Sequence, residues 1–226
     1  KDILITNQIT DILKIQRLTK IAANNCTLSC CVDSIENIVN IQKAAFQNNS
    51  IVNIYIEYDC GAKRCGLESF DEIQNLIDVI KTMSNIKFIG FQAYNGSIQH
   101  IEDFKLRKLN VQETCNKIKF LKSKFKKYSP IITGVGTGCF DLEVNENVYD
   151  EIQVGSYAFM DAHYSSLKKD DQVNNTINFE NALFVLSNVM STAVKKQAVV
   201  DAGLKSMSVD SGLPNVFNYD LQYVNC

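Results

Sequence analysis

Short apolar runs alternate with amphipathic stretches of helical period through the first three quarters of this chain, and that exchange restricts its fold more than any other feature. Residues 3–6, 27–32, 51–58, 86–92, 130–133 and 149–154 are short and almost continuously apolar, as parallel strands covered on one or both faces are. Between them, Asp33 with Glu36 forms a capping-box signature, followed by an apolar face of Ile35, Ile38, Val39, Ala45 and Phe46. Ser69 with Glu72 repeats the device ahead of Phe70, Ile73, Ile77 and Ile80, and Asn110 opens a third helix with Val111, Ile118, Leu121 and Phe125 on one side. The alternation predicts an α/β fold with a parallel sheet.

Period alone allows an open doubly wound sheet or a closed barrel. Polar residues gather after strand ends, at 59–66, 94–100, 134–138 and 155–157, and several successive strands feeding one site is the habit of a (β/α)8 barrel. Six strands are expected where a closed barrel has about eight. Residues 1–165 are therefore expected to form a partial TIM barrel whose first βα units lie upstream of Lys1. The texture changes after residue 165: longer strands are expected at 183–194 and 197–201, with turns at 201–205 and 211–214. Residues 166–226 read as the start of a β domain with too few strands to close, so the chain is expected to be truncated at both ends.

Composition sets the functional class by exclusion. Hydrophobic residues make up 46% and charged residues 21% with a net charge of −2, a globular balance that does not favour nucleic acid as a partner. The one basic run, 117–127, alternates with apolar residues at helical spacing and reads as a solvated helix face. No apolar run reaches the ~20 residues of a membrane span, and no signal peptide opens the chain. Eight cysteines without a C-x-x-C pair suit reduced thiols in a cytoplasmic protein. Two histidines, His100 and His163, give a Cys/His zinc site little to work with, and no metal ligands are expected.

The stretch 130–161 is the expected functional centre. Two strands there end in Gly, Ser and Thr, a composition that lets backbone N–H groups approach an anion closely. Two such ends on neighbouring strands would make a cup for one phosphate. Gly134-Val-Gly-Thr-Gly138 superficially resembles a dinucleotide fingerprint, but the segment after it reads as acidic and turn-like rather than as a helix opening. Arg64, in a Gly-bounded loop, suits an anionic oxygen, or alternatively an ion pair with Asp59 or Glu57. Tyr94 and His100 follow another strand and suit acid–base work, with a loop contact as the plainer reading. His163 and the cysteines carry no pattern beyond packing.

Together these pieces resemble a known family. Asp59-Cys-Gly-Ala-Lys-Arg-Cys-Gly66, Tyr94-x-Gly-Ser-x-Gln-His100, Thr133-Gly-Val-Gly-Thr-Gly138, Gln153-x-Gly-Ser-Tyr-x-Phe-Met-Asp161 and Asp201-Ala-Gly-Leu-Lys-x-x-Ser-x-Asp-x-Gly212 are similar, in this order, to the D-threonine aldolases. With D-3-hydroxyaspartate aldolases and D-serine dehydratases, those belong to the alanine-racemase-like pyridoxal phosphate enzymes. The resemblance implies a lyase that breaks the Cα–Cβ bond of a D-β-hydroxy amino acid, usually as a homodimer, with a D-serine-dehydratase-like ammonia-lyase or a non-catalytic cofactor-binding relative as alternatives. It implies that Gly136, Thr137 and Gly138, with Gly155, Ser156 and Tyr157, hold the phosphate of pyridoxal 5'-phosphate. Arg64 matches the arginine near the ring oxygen or substrate, Gln153 lies beside the ring nitrogen, and Tyr94 lines the ring. His100 matches the histidine that takes the substrate hydroxyl proton. The lysine that anchors the cofactor, and the ligands of a divalent metal (Mn or Zn), are not among the motifs of this chain, and Asn95 stands where relatives commonly have histidine.

Overall fold

The computed structural model describes every residue except 171–175, 178, 210, 211, 218–220, 223, 225 and 226. The chain divides into two compact units, Lys1–Gln99 with Lys105–Val154, and His100–Phe104 with Gly155–Cys226.

The first unit repeats strand and helix. Its elements are β1 (Asp2–Gln8), α1 (Ile12–Ala22), β2 (Thr27–Val32), α2 (Ile35–Gln47), β3 (Val52–Glu57), α3 (Phe70–Lys81), β4 (Ile86–Ala93), α4 (Phe104–Lys124), β5 (Ile131–Gly134), α5 (Phe140–Asn145) and β6 (Glu151–Ile152). The strands form one parallel sheet in the order β1-β2-β3-β4-β5-β6. A doubly wound sheet reverses its order partway; this one never does. Right-handed crossovers in such a sheet place every helix on the same face, which is how a (β/α)8 barrel is wound. The expected partial barrel is what the strand order describes.

Register sorts the side chains of the sheet. Cys30 pairs with Ile54, Val32 with Ile56, Ile56 with Phe91 and Phe91 with Ile132, so these apolar residues share one face. All six are 0% exposed. Phe125, just past α4, lies with its ring centroid 5.4 Å from Phe91, which identifies this as the helix-covered face. The opposite row runs Glu57, Gln92, Thr133 and is polar.

Local chemistry explains most helix starts. Asp11 accepts the Lys14 N–H at 2.9 Å to open α1, and Ser69 accepts that of Glu72 at 3.4 Å to open α3. Four expectations need correction. Ser34, not Asp33, caps α2 by accepting the Asn37 N–H at 3.3 Å; Asp33 instead accepts the Gly66 N–H at 3.1 Å. On α2, Ile38 and Ala45 are buried with Ile41, but Ile35, Val39 and Phe46 are exposed, because the burying stripe is rotated from the one expected. Helix α4 begins at Phe104 rather than at Asn110. A short helix, α5, also follows the glycine-rich turn, where an acidic turn was expected.

In the second unit, α6 (Ala162–Ser166) is capped by Asp161, which accepts the Tyr164 N–H at 2.8 Å. Strands β7 (Val189–Ser191) and β8 (Val199–Val200) pair antiparallel. The Asp201 carboxylate pins this pair by accepting the Asn188 N–H at 2.8 Å and the Ser187 hydroxyl at 3.0 Å. The longer strands expected at 183–194 and 197–201 therefore shrink to these short pieces. Leu183, Phe184, Val185 and Leu186 are apolar but exposed, and no ladder partner is recorded for them among the described residues. Asp210 and Ser211, from the last of the five motifs, lie outside the described residues.

Candidate active site

The carboxyl ends of parallel strands open at one edge of a sheet, and here that edge carries a row of polar residues in two hydrogen-bonded groups. Gln8 ends β1, Glu57 ends β3, Gln92 and Thr133 lie near the ends of β4 and β5, and Gln153 follows β6. The Gln8 amide donates to Glu57 Oε2 at 2.5 Å. Gln92 and Gln153 exchange amide hydrogen bonds at 3.2 and 2.5 Å, and Gln153 also donates to Thr133 Oγ1 at 2.8 Å. Gln92 is 1% exposed, so this pairing is what makes its burial tolerable. Burial raises the Glu57 carboxyl pKa above its usual value, while the Gln8 hydrogen bond and the Arg64 charge oppose the rise.

Arg64 lies at the rim of this row. Its guanidinium is 3.9 Å from Glu57 Oε1 and 5.7 Å from the centroid of the Tyr94 ring. The ion pair with Glu57 is thus present; Asp59 is turned to the backbone instead, accepting the Gly61 and Lys63 N–H groups at 2.9 and 3.1 Å. Arg64 keeps a side chain 58% exposed, so its fork is accessible to a ligand. Burial, the main cause, holds the Tyr94 phenol protonated to higher pH than usual.

Asn95, 3% exposed, donates to Thr114 Oγ1 at 3.0 Å and accepts the Ser97 N–H at 3.2 Å, which shapes the turn after Tyr94. That turn delivers Gln99 beneath the glycine-rich loop. The loop itself is strained: Val135 is buried with φ of 72°, a left-handed conformation that a β-branched residue rarely adopts. At Gly136 a Cβ would come within 2.4 Å of Gln99 Oε1, so any side chain there would require Gln99 to shift. The Gly138 N–H donates to Gln99 Oε1 at 3.0 Å and the Gly136 N–H to Glu143 Oε2 at 3.4 Å. Two amides expected to face a phosphate are engaged by protein side chains. Thr137, between them, is 2% exposed. Glu143 is fully buried, and burial pushes its carboxyl up to about 7 against the lowering effect of hydrogen bonds from Gln99, Gly136 and Tyr149.

The second unit holds the other expected site residues. His100 Nε2 is 3.2 Å from the Tyr164 hydroxyl, and its ring lies 4.7 Å from those of Tyr164 and His163. Burial first, then the neighbouring His163, lowers the His100 pKa, while Asp161 opposes that shift. Ser156 and Tyr157 are exposed on a 3-10 turn, Ser156–Ala158, and the Tyr157 ring packs 5.4 Å from Phe179. A Cβ at Gly155 would meet nothing within 4 Å, so no contact inside the protein requires glycine there.

The first unit thus brings Arg64 against Tyr94 and sets Gln153 in the polar row. Sequence reasoning missed Gln8, Gln92, Gln99 and Glu143. A period-two reading would have found Gln92, because Ile89, Phe91 and Ala93 alternate with Gly90 and Gln92. Glu143, in an acidic stretch, gives no such signal.

Comparison with known proteins agrees with this architecture. The family model for the alanine racemase N-terminal domain matches residues 4–163, and one for a serine dehydratase domain matches residues 182–224. A 3-hydroxy-D-aspartate aldolase from Paracoccus denitrificans (strain Pd 1222) is 38% identical over 100% of this chain and 60% of its own length. A D-threonine aldolase from an Arthrobacter species is 32% identical over 96% of this chain and 57% of its own. The crystal structure of D-threonine aldolase from Filomicrobium marinum superposes with a TM-score of 0.86 at 31% identity, covering 96% of this chain and 58% of that one. The chain therefore spans about 60% of the length of the curated relatives it matches. By its strand order and by the match over residues 4–163, the chain belongs to the family of alanine racemase N-terminal domains.

Proposed function

We propose that this chain supplies much of the cofactor and substrate pocket of a pyridoxal-phosphate-dependent lyase acting on D-β-hydroxy amino acids by retro-aldol cleavage. The observation that carries the reading is the hydrogen-bonded polar row at the strand carboxyl ends, with Arg64 and Tyr94 at its rim. The names of the similar aldolases supply the reaction class. The match to a serine dehydratase domain over residues 182–224 favours ammonia elimination as the second reading.

Two residues fit the group in kind, an exposed guanidinium for an anionic oxygen and a phenol to flank a ring; the Gly136 and Gly138 amides are already donated to Glu143 and Gln99. Bound pyridoxal phosphate supplies an electron sink for the pair left on the substrate Cα when the Cα–Cβ bond breaks. In this proposal Arg64 pairs with the ring oxygen or the substrate carboxylate, where its fork gives orientation as well as charge. Gln153 would lie beside the ring nitrogen, its amide held by Gln92 and Thr133. Gly136 and Gly138 shape the loop; Thr137, and separately Gly155, Ser156 and Tyr157, are carried over from the resemblance as phosphate contacts. His100 takes the substrate hydroxyl proton; a lowered pKa keeps its imidazole neutral for that task. Homodimer assembly and a divalent metal are carried over from the resemblance, and a cytoplasmic location from the cysteine pattern. Among the described residues no three His, Cys, Asp or Glu side chains come together to hold a metal, so no step is assigned to one. No helix among the described residues is long and apolar enough to cross a membrane.

Titration with pyridoxal 5'-phosphate, followed by calorimetry and by the change in cofactor absorbance, tests this. Saturable binding is expected, weakened at least about tenfold in Arg64→Leu through loss of a charge-assisted contact. Stabilisation by sugar phosphates but not by pyridoxal phosphate would overturn the proposal.

A further inference from the structure

His100 and α6 lie in the same unit of the chain, and two consecutive residues of that helix meet the His100 ring. Asp161 caps α6 by accepting the Tyr164 N–H at 2.8 Å, which sets His163 and Tyr164 in its first turn. Both rings pack 4.7 Å from that of His100, at 31° and 26°. The Tyr164 hydroxyl is 3.2 Å from His100 Nε2, the one hydrogen bond this ring makes to the described residues. Tyr164 is 8% exposed while His100 is exposed, so Nε2 is the nitrogen held against the protein and Nδ1 the one left for a ligand. Turning the ring over about its Cβ–Cγ bond would put Cε1 in place of Nε2 and forfeit the bond.

A neutral imidazole carries one N–H and one lone pair, so the contact has two forms with opposite consequences. If the phenol donates to Nε2, the ring proton is on Nδ1 and no base faces the ligand. If Nε2–H donates to the phenol oxygen, the Nδ1 lone pair is free. Only the second form survives protonation of Nδ1, because an imidazolium donates from both nitrogens and its bond to the phenol becomes charge-assisted. We propose that Tyr164 is a positioning residue that accepts the His100 Nε2–H and so makes Nδ1 the atom that takes the substrate hydroxyl proton. This rests on reading His100 as the proton acceptor of the cleavage. The hydroxyl proton then moves to Nδ1, the O–H electron pair becomes the second carbonyl bond of the product, and the pair of the breaking Cα–Cβ bond stays on Cα.

The other groups that act on the His100 ring are His163, on α6, and Asp161, at its cap, and they act through charge. Both are retained in Tyr164→Phe, which removes the hydroxyl and keeps the packed ring.

Nitrogen-15 NMR of the histidine rings in the full chain reads the arrangement with no ligand present. In neutral His100 of the wild type, Nε2 should carry the proton and Nδ1 should resonate as the unprotonated nitrogen. In Tyr164→Phe both tautomers should be populated, and His100 should titrate about 0.5–1 pH unit lower, because the imidazolium loses a charge-assisted acceptor. A proton on Nδ1 in the wild type, or a His100 pKa that rises in Tyr164→Phe, would overturn the proposal by showing that the phenol donates to the neutral ring. An unchanged His100 in a folded variant would overturn it too, leaving Tyr164 a packing role alone. Should the variant fail to fold, the wild-type tautomer decides by itself. None of these readings needs pyridoxal phosphate, so they fail or hold separately from the cofactor proposal.

Discussion

Replacing Gly136 by alanine tests how the turn is held. The added Cβ would lie 2.4 Å from Gln99 Oε1 and 2.5 Å from its Cδ, well inside contact distance. Gln99 is a flexible residue type but has nowhere to go: it is 0% exposed and bonded to the Asn95 carbonyl, to Glu143 and to the Gly138 N–H. Moving it strips the buried Gly138 N–H of its acceptor, at about 1–3 kcal/mol, and weakens the bond to Glu143, at about 1 kcal/mol more. A destabilisation of about 2–4 kcal/mol is expected by urea unfolding monitored with circular dichroism. The decisive measurement is the double-mutant cycle with Gln99→Ala, which removes the obstructing atoms. If the clash is the mechanism, the double variant should be more stable than the sum of the single losses by at least about 1 kcal/mol. Strict additivity, or a loss from Gly136→Ala below about 0.5 kcal/mol, would refute the reasoning.

Two further outcomes follow from the titratable groups. Glu143 has its pKa raised from 4.5 to about 7, so its contribution to stability is full below pH 4.5 and is lost as pH rises through about 7. The wild type should therefore lose about 3 kcal/mol relative to Glu143→Gln across that window, measured as the pH dependence of the difference in urea unfolding free energy; a constant difference would count against burial of the carboxyl. At His100, replacing His163 by alanine removes a neighbour that lowers its pKa, so the imidazole should titrate at higher pH in NMR spectra, and an unchanged or lower value would show that the rings do not interact.

The parts of the fold legible in the sequence are those where one physical demand acts on each residue. Strand β2 is expected and found at Thr27–Val32, because its residues 28–32 are all buried and a nearly continuous apolar run, broken only by the small Ser29, meets that need. Helix α1 was not anticipated: Ile12 and Leu13 are 51% and 67% exposed while Ile15 and Leu18 are buried, so its apolar residues do not mark one face. Helix α4 hides its first turns for a related reason, burying Arg107 while exposing Leu106 and Leu109. Of the candidate residues, Arg64 and Tyr94 could be singled out from the sequence because they stand in polar loops after strands, whereas Gln153 entered only through the resemblance. Gln92 and Glu143 were not, since the worth of a buried polar side chain depends on a partner far away in the chain: Gln153 for one, Gln99 and Tyr149 for the other.

The unreversed order β1 to β6 also bears on how the molecule is made. Every strand pairs with the next one in the chain, so no stretch of the sheet waits for a distant segment to be synthesised. A nascent polypeptide leaving the ribosome can lay down each stave against its predecessor as it emerges, and the growing rim, rather than the interior, is where a chaperone would find work.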